Sequence, residues 1–225
     1  MTPNTTPEWE QRCAALWDAF DDSDAVQFRS RMAALTAELP TDHPVAAYEL
    51  ASAYDATDLG EDAVPLYRQA LDTGLPGDRR RQAVIQLAST LRTLGRPQAS
   101  ADLLITERAH TSDHLDDALT AFLALTLIDL GREREAAALA LSALAPHLPA
   151  YRISVARYAD AVSRPGLTSG RENPETRGAP PRPRTPRGGG PLIGTGTRRG
   201  GGGRGNCWWR SSGACRRRRG SEAGA

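Results

Sequence analysis

Four histidines, three cysteines and several carboxylate pairs are the residues of this 225-residue chain with chemistry to offer, and their spacing decides what they can do. A nucleophile needs a base within hydrogen-bond reach and a partner that orients the base. His43 precedes Pro44 in a turn, His147 lies in the proline-bounded break at 146–149, and His110 and His114 flank a helix start. All four fall at the ends of predicted elements, where a solvated imidazole is the ordinary state. His110 and His114 have the i, i+4 spacing of a metal pair, but Thr111-Ser112-Asp113 reads as an N-cap that interrupts the helix between them. Asp113, Asp116 and Asp117 then favour that helix N-terminus electrostatically. The pairs Asp21/Asp22 and Glu133/Glu135 fall on predicted turns and solvated faces.

Cys13 lies on a predicted helix, while Cys207 and Cys215 are separated by seven residues with no histidine nearby, which is not a zinc-knuckle spacing. The glycines at 188–190 and 200–203 have neither a flanking strand nor the Lys-Ser/Thr of a phosphate loop. These residues predict no catalytic group, no metal site and no cofactor, hence a protein that is not an enzyme.

The elements that carry these residues divide the chain sharply. Residues 1–163 hold 14 Arg against 24 Asp and Glu, a net charge of −10; residues 164–225 hold 14 Arg against 3 Glu, a net +11. Only 5 of the 21 glycines fall in the first segment. Beyond Arg164 the only Leu, Ile, Val, Met or Phe residues are Leu167, Leu192 and Ile193, too few to offset the chain entropy of folding. The composition predicts a folded acidic domain over 1–163 and a disordered Arg/Gly/Pro-rich tail over 164–225. The chain has no Lys, as codon bias in a GC-rich genome would produce. The polar residues 1–7 show no secretory signal and no apolar run is long enough to span a bilayer, so a soluble cytoplasmic protein without membrane contact is expected.

Helical periodicity runs through the first 163 residues, and no stretch alternates as a half-buried strand would. Pro7 opens a first helix to about Phe20, and the 21–24 acidic turn caps a second that ends near Leu39. Pro44, Gly60, Asp78, Pro97 and Asp113 mark the next five starts, an eighth helix ends before Pro146, and a last one covers 151–162. The fold class is all-α, with about nine helices.

Three of these helices repeat. Leu50-Ala51-x-x-Tyr54, Leu87-Ala88-x-x-Leu91 and Leu123-Ala124-x-x-Leu127 follow at intervals of 37 and 36 residues. Each is followed by a turn and a second helix with small residues: Ala63 and Ala70, then Ser100, then Ala136 and Ala143. A small side chain at a helix crossing lets two backbones approach to about 8–9 Å. Tyr67 and Leu104 fill the large position of the second helix, where the third copy has Ala140. The pattern Leu-Ala-x-x-Tyr, Gly, Ala, Tyr, Ala resembles the tetratricopeptide repeat, and Gly60 falls two places later than the pattern's glycine. The segments 63–71, 86–92 and 122–125 are also similar to small bacterial tetratricopeptide proteins of unassigned activity.

The resemblance, over about residues 8–163, implies a solenoid of helical hairpins whose first helices line a concave peptide-binding face. Counted from each leading Leu, that face holds Tyr48, Ser52 and Asp55, then Ile85, Gln86, Ser89 and Arg92, then Ala121, Phe122, Leu125 and Ile128. It reads as an acidic rim, a polar centre and an apolar end, suited to an extended or helical peptide with an apolar anchor. The last three could instead cover the final helix at 151–162. Relatives that grip a peptide carboxylate use Asn and Lys or Arg at such positions, and only Gln86 and Arg92 approximate that set here.

The expected function is a non-enzymatic scaffold that binds a protein or peptide or associates with itself, a homodimer being motivated by the apolar third repeat. Two readings attach to the tail. Arg198, Arg199, Arg204, Trp208, Trp209 and the 216–219 arginines combine charge with stacking groups suited to RNA. The abrupt change of composition also fits a shifted reading frame after codon 163.

Overall fold

The computed structural model describes residues 5–110 and 112–164. Within them lie nine α-helices and no strand, joined by short turns. They are α1 (Pro7–Asp18), α2 (Ala25–Thr36), α3 (Pro44–Ala56), α4 (Gly60–Asp72), α5 (Gly77–Thr93), α6 (Pro97–His110), α7 (Asp116–Asp129), α8 (Glu133–Leu144) and α9 (Arg152–Ser163). Two 3-10 turns, Phe20–Asp22 and Ala145–His147, follow α1 and α8. The tail readings, disorder, RNA contact and frame shift alike, concern residues outside the described ones.

Helix starts follow from the sequence punctuation. Thr6 Oγ1 accepts from Trp9 N at 3.2 Å, and Pro7 behind it loses no helix bond by lacking an N–H. Asp24 caps α2 through the amides of Val26 and Gln27. His43 departs from its expected solvated state: it is buried, and its Nδ1 accepts from Val45 N at 3.2 Å as the cap of α3. The start expected at Asp113 also moves, because α7 begins at Asp116. Asp113 instead accepts from Leu115 N at 2.7 Å and from the Arg81 guanidinium, which holds it outside the helix.

Helix ends explain the glycine shift in the first repeat. The amides of Leu59, Arg96 and Arg132 donate back to the carbonyls of Tyr54, Leu91 and Leu127, the same closing bond at intervals of 37 and 36 residues. The left-handed residue just before each is Asp58, Gly95 and Gly131, with φ of 62°, 75° and 71°. Asp58 therefore occupies the pattern's glycine place. Gly60 is required by packing instead. A Cβ there would come within 3.0 Å of Thr90 Cγ2, so the missing side chain lets α4 start against α5.

The hairpins α1–α2, α3–α4, α5–α6 and α7–α8 stack in order. One core runs from Trp9, Cys13, Phe28 and Met32 to Tyr67, Leu87 and Leu91, and a second from Ile85 and Ala88 to Leu104, Leu123 and Ala136. α5 contributes to both, which joins the hairpins into one body. The crossing residues Ala63, Ala70, Ser100 and Ala136 are buried as their size requires. Leu50, by contrast, is only half-buried and faces a shallow depression of about 530 Å³ between α2, α3 and α4.

Candidate interaction surface

The first helix of each hairpin carries the residues singled out above, and the structure gives them unlike surroundings. Tyr48, Ser52, Ile85 and Gln86 are buried. Tyr48 Oη donates to Gln82 Oε1 at 3.2 Å and Ser52 Oγ to Gln86 Oε1 at 3.4 Å, both from α3 to α5. Asp55 accepts from Thr90 Oγ1 at 2.9 Å and from Tyr67 Oη at 3.4 Å. These positions form a polar seam through which the α5–α6 hairpin docks on the α3–α4 hairpin. Burial raises the Asp55 carboxyl above its ordinary value, against the pull of Thr90 and Tyr67.

The seam loosens along the chain. Ser89 is half-exposed, and Arg92 pairs with Asp129 on α7 at 2.8 Å. In the third copy the face opens. Phe122 remains partly packed on the second core, but Leu125 is 44% and Ile128 49% exposed. α9 does not cover them: it lies along α8 and the 3-10 turn rather than along α7.

Two charged clusters escaped the sequence reading. Glu49 is buried on α3, where its carboxylate accepts from Arg79 Nε at 3.0 Å and from Trp17 Nε1 at 2.9 Å. The other side of the Arg79 guanidinium binds Glu10 bidentately at 3.0 and 2.6 Å. One arginine on α5 thus ties α1 to α3. Burial pushes the Glu49 carboxyl above the usual carboxylate range, and burial followed by the Glu49 charge pushes the Cys13 thiol far up. Burial works on Glu10 in the same sense, but Arg79 and Thr5 overcome it and hold that carboxyl low.

The second cluster centres on Arg81, buried on α5 and paired with Asp113 and Asp116, while neighbouring Arg80 reaches Glu107 at 2.6 Å. Ser112, and then Arg81, holds Asp116 below its ordinary value. The Arg79-Arg80-Arg81 run was the available signal. Runs of this kind usually mark a solvated face, and partners 27 to 69 residues away leave no trace in local periodicity.

Neither cluster is built for chemistry. Each carboxylate is engaged by an arginine or an indole, and the Cys13 thiol is held protonated by burial. His147 lies 2.8 Å from Asp117 on the surface, and His114 3.7 Å from Asp78. Among the described residues no group of three or more His, Cys, Asp or Glu is placed to hold a metal ion. No helix there is long and apolar enough to cross a membrane.

Stacked hairpins at intervals of 36 and 37 residues, with small crossing residues and a left-handed C-cap in each copy, define a class of helical-repeat protein. The family model for the tetratrico peptide repeat matches residues 44–162, and the chain belongs to that family. No curated protein matches the chain, and no solved structure does. The family is in general one of protein-interaction modules, and the α1–α2 hairpin precedes the matched segment.

Proposed function

We propose that the chain is a non-catalytic scaffold of the cytoplasm that binds another polypeptide, a peptide segment or a further copy of itself, through the first-helix face of its third repeat. Residues 1–163 act as the folded unit in this reading, and the contact residues are Ser89, Arg92, Phe122, Leu125 and Ile128. The observation that carries it is the exposure of Leu125 and Ile128 at positions that are polar and buried or only partly exposed in the earlier repeats. Exposed aliphatic side chains in a row beside an arginine offer an apolar anchor site with a charged rim. Tyr48, Ser52, Asp55, Ile85 and Gln86 have a supporting role, fixing the hairpins that present this face. RNA binding through the Arg/Gly-rich tail is the alternative.

Affinity capture tests the reading. The full chain as bait is compared with the Leu125→Glu/Ile128→Glu variant and with Val26→Glu, a substitution at an exposed site on α2. The scaffold reading predicts polypeptide partners held by the wild type and by Val26→Glu and lost from the double variant. Equal recovery by all three baits would contradict the surface, and retention of RNA without polypeptide would favour the tail.

A further inference from the structure

The third repeat, α7–α8, differs from the first two in what lies on its far side. Residues buried on α3 and α4, which pack on α5, recur at fixed spacing on α5 and α6, which pack on α7. Their third-copy equivalents on α7 and α8 face no further hairpin among the described residues. On the second helices Tyr67 and Leu104 are buried and the equivalent Ala140 is exposed; Val64 and Ala101 are buried and the equivalent Ala137 is exposed. On the first helices Tyr48 and Ile85 are buried and the equivalent Ala121 is exposed. Ser52, Ser89 and Leu125 grade from buried through half-buried to exposed.

The open positions are apolar, and Ile128, Leu141 and Leu144 extend them, with exposures of 49, 37 and 49%. α9 begins 36 residues after α7, in step with the repeat, yet its packing on α8 leaves Ala137, Ala140, Leu141 and Leu144 exposed. On α8 Ala138 is buried, while Ala137 and Ala140 are exposed. Among the described residues, two rows of small and aliphatic side chains on adjacent helices therefore stand uncovered, at the positions where each earlier repeat is buried.

We propose that this face pairs with the same face of a second copy about a two-fold axis, continuing the hairpin stacking across the interface. The proposal rests on the reading of the third repeat as the interaction surface and names its occupant. A surface two helices wide, in the stacking register, is matched by a helix pair rather than by a single extended peptide. The opposite end of the solenoid is not complementary to it. The exposed side of α1 carries Glu8, Gln11, Arg12 and Asp18, and Arg12 is paired with Glu38 at 2.7 Å. A head-to-tail stack would desolvate that charged row against apolar side chains. A two-fold pairing sets apolar rows against apolar rows and closes the assembly at two copies.

Sedimentation velocity on the full chain, at concentrations from about 1 to 100 μM, tests the pairing. The wild type and Val26→Glu are expected to shift from monomer to dimer with concentration and to go no further. Leu125→Glu on α7 and Leu144→Glu on α8 each weaken the dimer by more than roughly tenfold, with unchanged helical circular dichroism showing that the fold is intact. A wild type that is monomeric throughout overturns the proposal. So does a dimer that survives both substitutions, a dimer lost from Val26→Glu, or growth into longer oligomers. A monomeric wild type that still captures polypeptides in a Leu125-dependent way overturns the pairing alone and leaves the scaffold reading in place.

Discussion

Thr90 Oγ1 on α5 donates to Asp55 Oδ1 on α3 at 2.9 Å, joining two hairpins across 35 residues of chain. The bond matters because Asp55 is largely buried and its other side-chain donor, Tyr67 Oη, stands at 3.4 Å. Thr90→Val keeps the shape and removes the donor. It is expected to cost about 1–2 kcal/mol at neutral pH, read by urea denaturation. The loss should shrink as pH falls through the raised Asp55 pKa, since a protonated carboxyl no longer needs the donor. A pH-independent loss would show that Thr90 acts by packing alone.

Glu49 yields a pH dependence of definite sign. Burial raises its folded pKa above the ordinary 4.5, so the stability it contributes is fully present below about that pH and is lost as pH rises through the raised value. The stability of the wild type relative to Glu49→Gln should therefore be greatest in acid and decline above pH 4.5. A difference that stays constant, or that grows with pH, would contradict the burial of this carboxylate.

Arg79→Met removes the group that neutralises both Glu49 and Glu10. Breaking a buried pair costs about 3–5 kcal/mol, and part-exposure of Glu10 reduces this to roughly 2–3 kcal/mol. Hydrogen exchange should place the loosening in α1, which Arg79 ties to α3 through Glu10. Uniform loosening across all helices would argue against that tie.

The left-handed caps predict opposite outcomes at equivalent positions. Gly95→Ala forces a Cβ into φ 75° and should cost about 1 kcal/mol, whereas Asp58→Gly relieves the same conformation and should gain a few tenths to about 1 kcal/mol. Gly60→Ala fails for a separate reason. Its Cβ meets the methyl of Thr90, whose hydroxyl bond to Asp55 holds the side chain in place, so a loss of about 1 kcal/mol is expected. Thermal melts of the three variants check all three signs.

These residues also show what could be read before the structure. Pro7, Pro44 and Pro97 each stand at a helix start because proline loses nothing there, and the Leu50, Leu87 and Leu123 spacing carried the repeat register. Periodicity reports which side of a helix is covered, not what covers it. Counting from the leading leucines therefore located one face in all three repeats and could not tell that Ser52 docks a neighbour while Leu125 stands open. The glycine rule pointed to Gly60, because Asp58 is a rarer occupant of the left-handed region. Glu49 and Arg81 look like ordinary surface charges in sequence, since only the fold brings Arg79 to the first and Asp113 and Asp116 to the second.

Thiol labelling compares the same register position in the three repeats directly. Ser52→Cys, Ser89→Cys and Leu125→Cys are made in the full chain with Cys207→Ser and Cys215→Ser, leaving the buried Cys13. At low concentration maleimide should modify position 125 on the order of 100-fold faster than position 52, with position 89 between them. Labelling at position 125 should slow once the chain has associated or bound a partner. Similar rates at positions 52 and 125, or a rate at 125 that association leaves untouched, would contradict an open interaction face on the third repeat.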